Sequence, residues 1–193
     1  MSDGWYKRVE AAEPLTQGDL ALDCPVVGWK SQEGEIAGER EEEELKASID
    51  VFKADLVVMT QACDLRERKV SNVVLCPHSS LNEYKQVWQR TMETRGQNPT
   101  PKSWESHRKS ICDGFIFNLS ILNAGEDCGL TTEHRVVDFS EVYSLPRTFL
   151  EFLLKSRSAR LRLMPPYREH LSQAFARFYM RVGLPADIQF PTA

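Results

Sequence analysis

Four residues with chemical capacity follow one another closely: Thr60, Gln61, Cys63 and Asp64 bring a hydroxyl, an amide, a thiol and a carboxylate to the end of an apolar run. Three chemistries suit such a cluster. Cys63 can act as a nucleophile if His78 or His134 takes its proton and Asp64 or Asp138 orients the imidazole. Cys63, Asp64, Cys76 and His78 have the donor types of a tetrahedral zinc site, but their spacing matches no standard zinc motif and there is no Cys-x-x-Cys pair. Arg66, Arg68 and Lys69, joined by Arg157, Arg160 and Arg162, can contact phosphates. Aromatic residues do not interleave with these bases, so a base-stacking platform is not indicated. Each has a plainer counterpart: a buried cysteine packs as a small hydrophobe, Asp64 can accept bonds from the backbone of its own loop, and basic residues are often simply solvated. Metal is therefore not expected, and no pattern calls for a cofactor.

Strands must position this cluster. Residues 55–60 and 70–76 are short runs rich in β-branched residues and bounded by polar ones, as buried strands are; residues 61–69 between them read as a charged loop. Earlier, Trp5 and Tyr6 stand as aromatic anchors in a polar lead-in, and Gly18 precedes a first strand that continues or bends through Trp29. From Ser80 the period becomes helical, with Leu81, Tyr84, Val87, Trp88 and Met92 on one face and Ser80 with Glu83 in capping-box positions. A second helix over 103–112 carries Trp104, His107 and Ile111. Residues 115–122 alternate as a strand, and 135–139 form another. Pro146 opens a helix whose expected buried stripe is Phe149, Phe152 and Leu153. The last helix starts at Pro165 and Pro166 and lays down Tyr167, Leu171, Ala174, Phe175, Phe178 and Val182; Gly183 and Pro185 end it. Arg168, Arg177 and Arg181 lie off that face as candidate partner-binding residues.

The expected architecture is α+β: one domain over 1–193, a small SH3-like curled antiparallel sheet or barrel with helices packed on it. Its parts are a barrel core over 15–80 with an acidic insertion at 31–50, a helical insertion at 81–112, further strands at 115–145 and C-terminal helices at 146–193. Charge is uneven: residues 33–50 hold eight acids against two bases, and residues 147–181 hold eight bases against two acids, within a net charge of −4. The chain as a whole thus has no bias toward nucleic acid; any such affinity is local. Five cysteines at irregular spacing, no apolar leader and no long apolar run indicate a cytoplasmic protein with free thiols and no membrane partner.

Two resemblances follow from these residues. Gly18-Asp19-Leu20, then Leu56-Val57-Val58-Met59-Thr60-Gln61, then Val73-Val74-Leu75-Cys76-Pro77 resemble, over residues 15–80, the PemK/MazF-like SH3-type barrel. That family comprises toxin endoribonucleases and binding modules on the same barrel; its nucleases use an Arg ahead of the central strand, where this chain has Lys53-Ala54-Asp55. Residues 60–65 and 166–185 are similar to uncharacterised bacterial proteins that look like accessory components of multi-gene systems, such as defence or mobile-element loci. The favoured expectation is a non-catalytic binding or accessory component whose partner is another protein or nucleic acid. The alternative is an endoribonuclease-like or Cys-dependent hydrolase acting at Thr60–Asp64.

Overall fold

A computed structural model describes residues 4–29 and 46–180 of the chain. The fold is α+β, with a curled antiparallel sheet at its centre. Its middle strands are β3 (Ile49–Val58) and β4 (Asn72–Ser80), paired through Leu56↔Pro77, Val57↔Cys76 and Val58↔Leu75. Alternation sends successive side chains to opposite faces. Val57 and Cys76 join a cluster with Leu20, Leu122, Phe139, Leu163 and Leu171, while Leu56, Val58, Val73 and Leu75 join another with Leu65, Leu150 and Leu154. Both faces of the central pair are thus covered, which is why these strands are near-continuous apolar runs.

The edges come from distant parts of the chain. β2 (Leu20–Trp29) pairs with β3, with an irregularity between Ala21 and Cys24. β4 receives two later strands in succession. Its first half pairs with β9 (Tyr143–Pro146) and its last residues with β8 (Arg135–Asp138), which in turn pairs with β5 (Leu119–Leu122). β1 (Tyr6–Val9) pairs with β10 (Arg160–Leu163), and Leu163 N–H bonds the Gly18 carbonyl at 2.9 Å. The sheet system therefore reaches well past residues 15–80. β6 (Gly125–Asp127) and β7 (Leu130–Thr132) form a separate hairpin.

Several sequence expectations are met. The helix from Leu81 to Thr94 (α2) starts with the Ser80/Glu83 capping box, and α3 (Pro101–Cys112) packs Trp104 and His107 against Tyr84 and Trp88 of α2. Others are corrected. The lead-in at Tyr6 is a strand, held because Tyr6 is buried and donates to the Asn123 carbonyl. The strand expected over 115–122 is confined to Leu119–Leu122, and Phe115 is exposed. In α4 (Arg147–Lys155) the buried residues are Leu150 and Leu154, with the expected Leu153 partly buried against the same cluster, while Phe149 and Phe152 face out. The stripe is rotated because β9 leads straight into α4, so its register follows the Arg147 N–H bond to the Ser71 carbonyl at 2.8 Å. The last helix, α5 (Tyr167–Tyr179), follows Pro166 and buries Leu171, with Tyr167, Ala174, Phe175 and Phe178 packed beside it. Val182, Gly183 and Pro185, and most of the acidic insertion, lie outside the described residues. All five cysteines are free, with Cys24 and Cys76 buried and Cys63, Cys112 and Cys128 exposed.

Candidate anion-binding cleft

The segment after β3 is not a loop but a short helix, α1 (Ala62–Arg66), followed by a turn. Thr60 makes the transition. Its Oγ1 accepts the Val74 N–H at 2.7 Å, and its own N–H reaches the Val74 carbonyl, so the hydroxyl ends the ladder with β4. Leu65, fully buried, anchors α1 to the core. The helix closes with Lys69 N–H bonded to the Asp64 carbonyl and Arg68 N–H to the Leu65 carbonyl, the pair of bonds that defines a Schellman turn. Arg68 occupies the left-handed position of that turn, at φ 53°, where glycine is the residue of least cost.

Around α1 lies a cleft of about 530 Å³. Arg66 and Arg68 form one wall, Arg147 and Lys155 of α4 another, and Arg160 and Arg162 of β10 the floor. Glu13 and Glu151 are the carboxylates in the lining, and no aromatic ring lines it. The floor cations are engaged by structure. Asp19 is fully buried; it takes Arg160 Nε at 2.9 Å, Arg162 Nη2 at 3.2 Å and Arg162 Nε on its other oxygen. Arg160 also donates to the carbonyls of Glu10, Glu13 and Pro14, which ties the 10–16 segment to β10. The wall cations are less committed. Arg68 and Lys155 pair with no carboxylate among the described residues. Arg66 is 78% exposed and reaches Glu67 only at 3.6 Å. Arg147 Nε donates to Glu151 at 2.7 Å, but its buried Nη1 has no partner. Lys69 does not join them: its ammonium binds Glu67 at 2.6 Å and, with Arg66 assisting, holds that carboxyl below the usual range.

The other candidates resolve differently. Cys63 Sγ has Gln61 Oε1 at 3.6 Å and Asp64 Oδ1 at 3.8 Å as its polar neighbours, and no histidine touches it. Asp64 receives no backbone N–H on its carboxylate; its main-chain carbonyl closes the turn instead. Of the two histidines considered as the base for Cys63, His134 is exposed at the approach to β8, with no hydrogen bond to that thiol, and His78 is held elsewhere. His78 accepts Arg135 Nε on Nδ1 at 2.7 Å, and Arg135 also binds Asp55. Burial, and then the Arg135 charge, push the His78 pKa down to about 3; the Leu56 backbone acts weakly the other way, at a geometry that leaves Nε2 without a proper hydrogen bond. His107 bonds the Tyr84 hydroxyl. Asp138, proposed as an orienting group, instead accepts Asn118, Ser140 N–H and the Ser140 hydroxyl. The zinc set is not assembled: Cys63 is exposed on α1, Cys76 is buried in β4 with its pKa pushed up to about 12, and His78 is held by Arg135. Among the described residues no three His, Cys, Asp or Glu groups converge on a metal position.

Of the basic residues singled out from sequence, Arg66, Arg68, Arg160 and Arg162 meet in the cleft. Arg157 does not: it binds the Leu22 and Asp23 carbonyls at the irregularity in β2. Arg168 pairs with Glu169, and Arg177 donates to the Gly114 carbonyl and lies over the Phe117 ring, so both are tied down within the fold. Arg181 lies outside the described residues. Sequence reading did not single out Arg147 and Lys155; the excess of base over acid in residues 147–181 was the signal for them. No family model matches the chain, and no curated protein or solved structure matches it either. No helix among the described residues is long and apolar enough to cross a membrane.

Proposed function

We propose that the protein is a non-catalytic binding component that holds the phosphate backbone of a nucleic acid in the cleft beside α1. The observation that supports this is the set of under-committed cations, Arg66, Arg68, Arg147 and Lys155, converging from two elements on one open cleft. Positive charge not neutralised from within attracts a polyanion and releases its counterions on binding. The lack of aromatic rings in the lining argues for contact with phosphate rather than stacking on bases, and hence for little sequence preference.

Fluorescence anisotropy with labelled single-stranded RNA and DNA tests this reading. Three to four phosphate contacts predict that log affinity falls against log salt with a slope of about −2 to −3. Arg66→Ala and Lys155→Ala should each lower affinity and flatten the slope by about 0.7, with unchanged melting. Oligonucleotide binding that is absent, or indifferent to these substitutions, refutes the reading. If an acidic peptide binds the same residues and oligonucleotides do not, the ligand is an acidic protein partner instead.

A further inference from the structure

The outer half of the β2–β3 pair is apolar on both faces at Val26, Val27 and Trp29 and their partners, with Lys53 and Asp50 the charged residues among its pairs. Val26 pairs with Phe52 and Val27 with Val51, so alternation places one apolar pair on each side of the sheet. Val26 is buried, whereas Val27, Trp29 and Val51 are 61%, 71% and 68% exposed. A sheet with one wet face alternates apolar and polar residues, whereas successive apolar pairs belong to strands covered on both faces. Here, among the described residues, one face is covered and the other is not.

The bare face borders a groove of about 760 Å³ whose far wall is β9 and the start of α4, including Val142 and Phe149. The consecutive residues Pro25 to Trp29 all line it, as the edge of a strand does rather than its face. β2 ends the path of the sheet, and among the described residues no strand pairs with its outer edge. Phe152, one turn beyond Phe149, is 73% exposed. Glu141 is the one charged residue lining the groove. With about 200 Å² for a whole aromatic side chain, the exposed parts of Trp29, Phe149 and Phe152 alone come to about 360 Å². With Val27, Val51 and Val142 added, the patch reaches the upper end of what a typical monomer leaves in water, roughly 600 Å², against the roughly 800 Å² that each partner contributes to a standard interface.

We propose that a second copy of this chain covers the surface, making the protein a two-fold dimer through β2, β9 and the outer side of α4. A two-fold contact requires one surface to be complementary to itself. This one is apolar along its length, with Trp29, 71% exposed, among the residues that line the groove. Pairing also shields the free edge of β2, an aggregation hazard if left bare. The groove shares no lining residue with the basic cleft, so both clefts stay open in the dimer.

Sedimentation equilibrium on the full chain tests the proposal. Interfaces of this area dissociate between micromolar and picomolar concentrations, so at about 100 μM the dimer should dominate. The expected mass there is twice the 22.1 kDa of the chain. Trp29→Glu and Phe152→Lys, both at exposed positions, should return the protein to the monomer mass with unchanged circular dichroism. Monomerisation of either variant with its fold retained supports the proposal. A wild type that stays monomeric throughout the range, or a dimer that survives both substitutions, overturns it.

Discussion

Arg68 combines a conformational cost with a charge directed at the cleft. A non-glycine residue in the left-handed region costs about 1–2 kcal/mol. Arg68→Gly should therefore melt at or above the wild-type temperature while binding oligonucleotides more weakly, and thermal melts beside anisotropy check the pair of outcomes. A joint fall would mean that the side chain holds the turn together. His78 carries a second consequence. Its folded pKa, near 3, lies below the ordinary value of about 6.5. The unfolded chain therefore takes up a proton below pH 6.5 that the folded chain refuses, and stability falls as pH drops through that window. Above pH 6.5 the group contributes nothing. Relative to His78→Gln, which keeps an acceptor for Arg135, the wild type should lose about 1.4 kcal/mol per pH unit on going from pH 6 to pH 4. Urea melts of the two proteins at matched pH give the difference, and parallel curves would contradict a neutral buried imidazole.

Among the elements, helices show most clearly how far periodicity carries. In α2 the spacing of Tyr84, Val87, Trp88 and Met92 identifies a helix, yet no residue of α2 is fully buried. One partner helix, α3, covers only part of its apolar stripe, and Val87 remains exposed. In α4 the apolar residues are so dense that several stripes are possible from sequence, and packing selects Leu150 and Leu154. Leu150→Ala should cost about 2–5 kcal/mol, the usual range for emptying a packed leucine. Val87→Ala should stay within about 0.5 kcal/mol of wild type. Chemical denaturation of both distinguishes the faces; equal losses would place Val87 in a core. The paired parts of β3 and β4, Leu56–Val58 and Val73–Cys76, were legible because both of their faces are covered there, so their composition is apolar whatever the register.

In the whole molecule, Asp19 links segments that are far apart in the chain. It joins the start of β2 to Arg160 and Arg162 of β10, and Arg160 fastens the 10–16 segment beneath the cleft. Asp19→Ala leaves the buried Arg160 without its counter-charge and Arg162 with Glu13 alone, at 3.7 Å, and should cost about 3–5 kcal/mol. Arg162→Ala, which leaves the Asp19–Arg160 pair in place, should cost less. Urea titrations rank them, and the reverse order would show that Arg162 dominates the network. Composition and local period alone determined the α+β class, the central strand pair, the capped helix at Ser80 and the concentration of base in residues 147–181, because each depends on near neighbours in the chain. The cleft, the partners of the histidines and the separation of Cys63 from Cys76 were decided only by tertiary structure. Asp19 and Arg160 stand 141 positions apart, and Arg135 and His78 57 apart. Pairings at such separations depend on strand order and register, which no local pattern encodes.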